Sequence, residues 1–283
     1  MKADCLFCTN PAGSKEHLWA AWIHRRKDFG SLRVTIGKSL PEIRSNPEQK
    51  INTVCGKCNN GWMSVLEQRN IPLIGCLLQD LSAPLDIAQQ TSLSAWAVKT
   101  AMVLDSVKDQ TTNPRFYEKT ECVNMRLTRI IPDRTRVWIG RLSISALGAY
   151  GMDLGIVLDG SVKAGIGMAT TIIVGHLAVQ VLSSRIYPEH RAKNLTDIQP
   201  KTGAWDKMLV PIWPIGRHSV MWPPEVTFTN GPGENSIGRL MDRWRLGKGV
   251  DTVGLDRAEW FTPEQNATAS MPAEGRPKEG PIE

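Results

Sequence analysis

Apolar positions fall into distinct regimes along the chain. Behind Ser14, the residues Leu18, Trp19, Trp22 and Ile23 recur at helical spacing, which predicts a short helix to about Arg26 with Glu16 and His17 in its first turn. Leu32 to Ile36 alternates, and Gln49 to Val54 reads as a second strand, so the two are expected to pair as a hairpin across a Pro/Asn/Glu-rich connection. Residues 59–68 carry Met63, Leu66 and Glu67 on successive helical turns. After Pro72 and Pro84, a stripe of Leu93, Trp96, Ala97, Thr100, Ala101 and Leu104 predicts a helix beginning near Thr91 or Ser92.

From Arg126 onward the pattern turns β-like. Arg136 to Leu142, Leu154 to Leu158 and Ala169 to Ser183 are separated by Gly and Asp, and they predict a mainly antiparallel sheet packed by the preceding helix. His176, inside the last run, is expected to be a satisfied core histidine, and His190 and His218 to be idle in polar loops. Trp205, Trp213-Pro214 and Trp222-Pro223-Pro224 read as extended packing elements along a sheet edge. Ser236 to Leu246 reads as a short helix with Arg239, Arg243 and Arg245, and residues 262–283 as an unstructured tail. The fold class expected is α+β: a zinc-stapled ββα module at 1–70, then a larger domain at 71–261.

Composition narrows the classes. Of 283 residues, 41% are hydrophobic and 22% charged, and no run approaches the roughly 18 uninterrupted apolar residues that cross a membrane. The first ten residues are polar and hold two cysteines, so no secretory leader is expected and paired thiols point to the reducing cytoplasm. The formal charge is +6, and residues 1–70 hold 11 Lys/Arg against 6 Asp/Glu, so the basic end is the cysteine end.

Cys5-x2-Cys8 and Cys55-x2-Cys58 are two knuckles, each offering two sulfurs from one tight turn, as a structural tetrahedral Zn2+ site requires. Cys76 and Cys122 stand alone and are expected to be buried or inert thiols. Between and after the knuckles come Glu16-His17 and Asn59. This order, Cys-x2-Cys, Glu-His, then Val-Cys-x2-Cys-Asn, resembles the zinc-bearing branch of the HNH (ββα-metal) endonucleases, which includes endonuclease VII-like resolvases and many uncharacterised bacterial proteins. The resemblance covers residues 5 to 68. Trp19-Ala-Ala-Trp22 and Asn60-Gly-Trp62-Met63 depart from the Gly-Gly and helical Lys that many HNH sequences carry.

The resemblance implies a structural zinc on the four cysteines, Glu16 and Asn59 as ligands of a catalytic dication, and His17 as general base. Elementary chemistry agrees with those roles. A carboxylate and an amide oxygen suit Mg2+ or Mn2+, and an imidazole can take a proton from water near neutral pH if its other nitrogen is held. Asn52 and Asn60 are both candidates to hold it. Arg25, Arg26, Lys27 and Lys57 are the cations expected to meet phosphate oxygens. The expected function is therefore metal-dependent cleavage of nucleic acid, with DNA as the partner by family habit. The larger domain is expected to select the target, regulate, or pair the chain as a homodimer. The rival class is a non-catalytic zinc ribbon that binds nucleic acid or protein.

Overall fold

The computed structural model describes residues 3–17, 19–26, 32–34, 42–44, 50–107, 114–158, 162–191, 197–200, 207–229, 240, 250–253 and 258–261. Among these, the side chains of 15–17, 50, 157–158, 162, 191 and of the strands at 32–34, 42–44, 197–200, 250–253 and 258–261 fall outside the description.

The chain opens with β1 (Ser14–His17), α1 (Ala21–Arg26), β2 (Leu32–Val34), β3 (Glu42–Arg44) and β4 (Lys50–Val54). Two expectations are corrected here. Ser14 to His17 is a strand, and the helix starts only at Ala21. β4 does not pair with β2, which instead joins β3; β4 pairs antiparallel with β1, setting Ser14 opposite Val54, Glu16 opposite Ile51 and His17 opposite Lys50. The reason is backbone satisfaction. The Leu6 amide donates to the Thr53 carbonyl at 2.8 Å and the Gly13 amide to the Val54 carbonyl at 3.1 Å, so the first knuckle and the segment after it already line β4.

After β4 come α2 (Gly56–Cys58), a π-helical turn (Asn59–Met63) kinked at Gly61, and α3 (Ser64–Leu78). α3 runs ten residues past the expected end at Gln68 and straight through Pro72. That proline cannot donate to the carbonyl of Gln68, but both residues are on the exposed side of the helix, where losing one backbone hydrogen bond costs least. The boundary expected at residue 70 thus falls inside a helix. One apolar cluster joins Cys5, Phe7, Trp22 and Ile23 on one side of that boundary to Leu77, Trp96, Val174 and Trp222 on the other.

β5 (Ala83–Asp86) leads into α4 (Ile87–Asp105), which begins four residues before Thr91 because Asp86 and Gln89 form a reciprocal capping box. α5 (Lys119–Thr128) is tied to the end of α4 by Asp105, whose Oδ2 accepts the amides of Phe116 and Tyr117 at 2.8 and 3.0 Å.

The rest is β6 (Thr135–Leu158), β7 (Val162–Ile186), α6 (Pro188–Arg191), β8 (Asp197–Pro200), β9 (Leu209–Trp213), β10 (Ser219–Trp222), β11 (Val250–Val253) and β12 (Ala258–Phe261). β6 and β7 form one long antiparallel hairpin, to which β9 and β12 add along different stretches of β6; β10 pairs with β5, and β11 with β8. The expected antiparallel sheet packed by α4 is therefore present, with longer strands. Alternation divides the hairpin's side chains. Val137, Ile139, Val174 and Leu177 join the cluster shared with the helices, while Trp138, Leu142, Ile173, Ala178 and Leu182 enclose a second core with Phe228.

The hairpin bends where Leu142–Ser145 bulge opposite His176, whose Nδ1 lies 2.8 Å from the Leu142 carbonyl oxygen. Gly175 makes the bend possible. It has φ +64, and a Cβ there would sit 2.6 Å from the Leu78 carbonyl oxygen. His176 is thus satisfied as expected and His218 is exposed, but His190 is buried in α6 and not in a polar loop. Trp222 is buried and Trp213 half-buried on strands, in keeping with packing. Trp205, Arg239, Arg243, Arg245 and the 262–283 tail lie outside the described residues. Among those described, no helix is long and apolar enough to cross a membrane.

Candidate metal centre

The first knuckle is a turn closed by its own backbone. The Cys5 amide donates to the Asn10 carbonyl at 2.8 Å, and the Ala12 amide to that of Ala3 at 2.9 Å. β4 then carries the chain directly into Cys55, and α2 returns Cys58 to the same place. The four sulfurs all lie within 4.8 Å of one another and every cysteine is buried. Cys8 Sγ stands 3.5 Å from Cys55 Sγ and 3.6 Å from Cys58 Sγ. A tetrahedron with Zn–S bonds of about 2.3 Å has edges of about 3.8 Å, whereas a disulfide needs about 2.05 Å. The donor set and spacing therefore fit a four-sulfur metal site and not a pair of cross-links.

The sulfurs are also prepared for negative charge. The Phe7 amide points at Cys5 Sγ (3.4 Å), and the Cys58 amide (3.4 Å) and Asn10 Nδ2 (3.9 Å) at Cys55 Sγ. Burial opposes ionisation of Cys55, but the Cys58 amide and the neighbouring thiols outweigh it and bring the Cys55 pKa down to about 6. Cys58 is pushed up, first by burial and then by Cys8 and the charge of Cys5; burial likewise raises Cys5.

Lys119, from the first turn of α5, donates to the carbonyl oxygen of Cys5 and, at 2.7 Å, to that of Cys8. A cation is thereby fixed on the knuckle that would carry excess negative charge with a metal on its thiolates. Sequence gave no sign of it, since the contact spans more than a hundred residues. Phe7 meets Trp62 edge-on with ring centroids 4.9 Å apart, which packs the knuckle against the π-turn.

Around this centre, Glu16 and His17 occupy the β1 positions opposite Ile51 and Lys50, with their side chains outside the described residues. Asn59, one residue past Cys58, donates through Nδ2 to Ser14 Oγ at 2.8 Å. Ser14 is therefore not a helix cap; it clasps the start of the helical run two residues before Glu16. Asn52 and Asn60 are exposed, on β4 and in the π-turn. Of the expected phosphate-facing cations, Lys57 and Arg25 are exposed, and Lys27 lies outside the described residues. The guanidinium of Arg26 lies along α3, where a Cβ on Gly75 would come within 2.7 Å of its Nη1. Comparison with protein-family profiles, with curated proteins and with solved structures returns no match for this chain.

Proposed function

We propose that this protein is a metal-dependent endonuclease of HNH type, acting on phosphodiester bonds in nucleic acid and most naturally DNA. The observation that carries the reading is the backbone register of β1 and β4 together with the Asn59–Ser14 hydrogen bond. The paired strands β1 and β4, separated along the chain by α1, β2 and β3, lead into the helical run after Cys55, with Glu16-His17 on the first strand and Asn59 at the start of that run, an arrangement that supports comparison with a ββα-metal module.

The roles follow from the chemistry of the groups. The four cysteines would hold Zn2+ as a structural staple, which contributes on the order of 10 kcal/mol to folding a small module. Glu16 and the amide oxygen of Asn59 would hold Mg2+ or Mn2+, which supplies charge to offset that developing on the phosphate and leaving oxygen. His17 accepts a proton from the attacking water as its oxygen bonds to phosphorus; the P–O bond to the leaving sugar oxygen breaks, and that oxygen is protonated from solvent. Asn59 holds Ser14 and so fixes the start of β1.

A non-catalytic zinc ribbon is the second reading, favoured by that same bond, since an amide that clasps Ser14 already has a structural task. A nicking assay on supercoiled plasmid with Mg2+ or Mn2+ separates the two. Nicking by the wild type that is abolished in a zinc-loaded His17→Ala variant supports the nuclease. Equal nicking by both removes His17 from the mechanism, and no nicking by either leaves the binding module.

A further inference from the structure

We propose that Arg129, stacked on Trp62, forms with Arg69 and Arg126 a binding surface for the sugar-phosphate backbone of a nucleic acid. Arg129 caps α5 in the left-handed conformation, φ 62, which turns its side chain back across the helix end. Its guanidinium carbon lies 4.6 Å above the Trp62 ring, and its Nη1 donates to the carbonyls of Met125, at 3.3 Å, and Arg126. The head group is thus fixed in place before any ligand arrives.

Two further cations stand close to it. Burial lowers the Arg129 pKa first, and the charges of Arg69 on α3 and Arg126 on α5 lower it further. Among the described residues none of the three meets a carboxylate, whereas Arg141 is forked onto Asp80, Arg185 onto Glu118 and Glu121, and Lys99 onto Glu67. Like charges held together without counter-ions repel, and an anion taken from solution relieves them.

The neighbouring polar atoms call for the same kind of ligand. Arg126 Nε and Trp62 Nε1 are both buried with no hydrogen-bond partner. Both are donors only, as are the remaining guanidinium nitrogens, so the group that satisfies them must be an acceptor, and phosphate oxygens are charged acceptors. Placement selects a polymer over a single anion. Trp62 and Arg69 lie seven residues apart beyond the kink at Gly61, about 10 Å along a helical path, a distance that covers more than one phosphate.

This extends the nucleic-acid half of the reading above and does not depend on cleavage. The test measures binding of a short duplex DNA across a salt series, without added Mg2+ or Mn2+. Arg69→Gln, on the exposed face of α3, and Arg126→Gln are expected to weaken binding several-fold. Each should also flatten the slope of log K against log salt by about 0.9. Lys207→Gln, a charge change of the same sign at a lysine paired with Glu225, should leave the slope unaltered. An unchanged slope in Arg69→Gln would overturn the proposal even if Arg126→Gln failed to fold. So would displacement of the duplex by inorganic phosphate beyond that by chloride at matched ionic strength, because the site would then serve the free anion.

Discussion

Lys99 Nζ lies 2.8 Å from Glu67 Oε1, joining α4 to α3 by an ion pair almost wholly removed from water, with side-chain exposures of 4% and 16%. The carboxylate is shared. Trp96 Nε1 donates to the same oxygen at 2.8 Å and Trp22 Nε1 to Oε2 at 3.2 Å, so one acidic side chain ties three helices together. Because α3 continues from the helical run that holds Cys58, this junction connects the sulfur quartet to the larger body.

A charge left alone at that junction is expensive. Lys99→Met strands the Glu67 carboxylate and is expected to cost about 3 kcal/mol. Glu67→Gln removes the charge and leaves one acceptor oxygen for the two indoles, so the double variant Glu67→Gln/Lys99→Met should recover part of the loss. Urea unfolding of the four proteins measures the cycle. Additive losses in the double variant would show that the pair does not act as a unit.

The quartet predicts proton release on metal binding. Cys55 already titrates near 6, whereas Cys5 and Cys58 are held above their ordinary value by burial, so at neutral pH zinc must displace at least those two protons. Affinity should therefore fall as pH is lowered, and heats of zinc binding should differ between buffers of different ionisation enthalpy. Identical heats would contradict this. Cys58→Ser, which removes one ligand, should lose both zinc and solubility.

Lys119 gives that centre a remote dependence. Its ammonium on the Cys5 and Cys8 carbonyls offsets the charge that four thiolates and one Zn2+ leave behind. Lys119→Met is expected to speed transfer of zinc to a competing chelator about fivefold, equivalent to about 1 kcal/mol for an exposed cation with charged hydrogen bonds. An unchanged rate would reduce Lys119 to a packing contact.

These connections mark where sequence reading succeeds and where it stops. The knuckles were legible because Cys-x2-Cys encodes its own turn, and α4 because its stripe is continuous. The start of α4 was missed because an Asp-x-x-Gln capping box lies before the stripe. β1 was missed because Ser14-Lys-Glu-His17 is a fair helix entry locally, and only pairing with β4, more than thirty residues away, makes it extended. Non-local partners also explain why Lys119, Glu67 and the Arg129–Trp62 stack carried no sequence signal. The polar residues of the candidate site were readable by type and order, but their mutual placement depended on that register.

Alkaline stability should report on the seam between α5 and the sheet. Cys122 is fully buried, and burial, with the nearby charges of Glu121 and Asp105, pushes its pKa up to about 12 from an ordinary 9.0. Folding therefore favours the protonated thiol. Below pH 9 the contribution is complete; between about 9 and 12 the unfolded chain loses the proton first, and stability falls by up to about 1.4 kcal/mol per pH unit. Tyr117, also raised by burial, adds to the loss from about pH 10. Cys122→Ala gives up some packing but removes this thiol's titration, so its stability should decline less steeply between pH 9 and 10 than that of the wild type. Parallel declines in chemical denaturation over that interval would show that Cys122 does not control the alkaline limb.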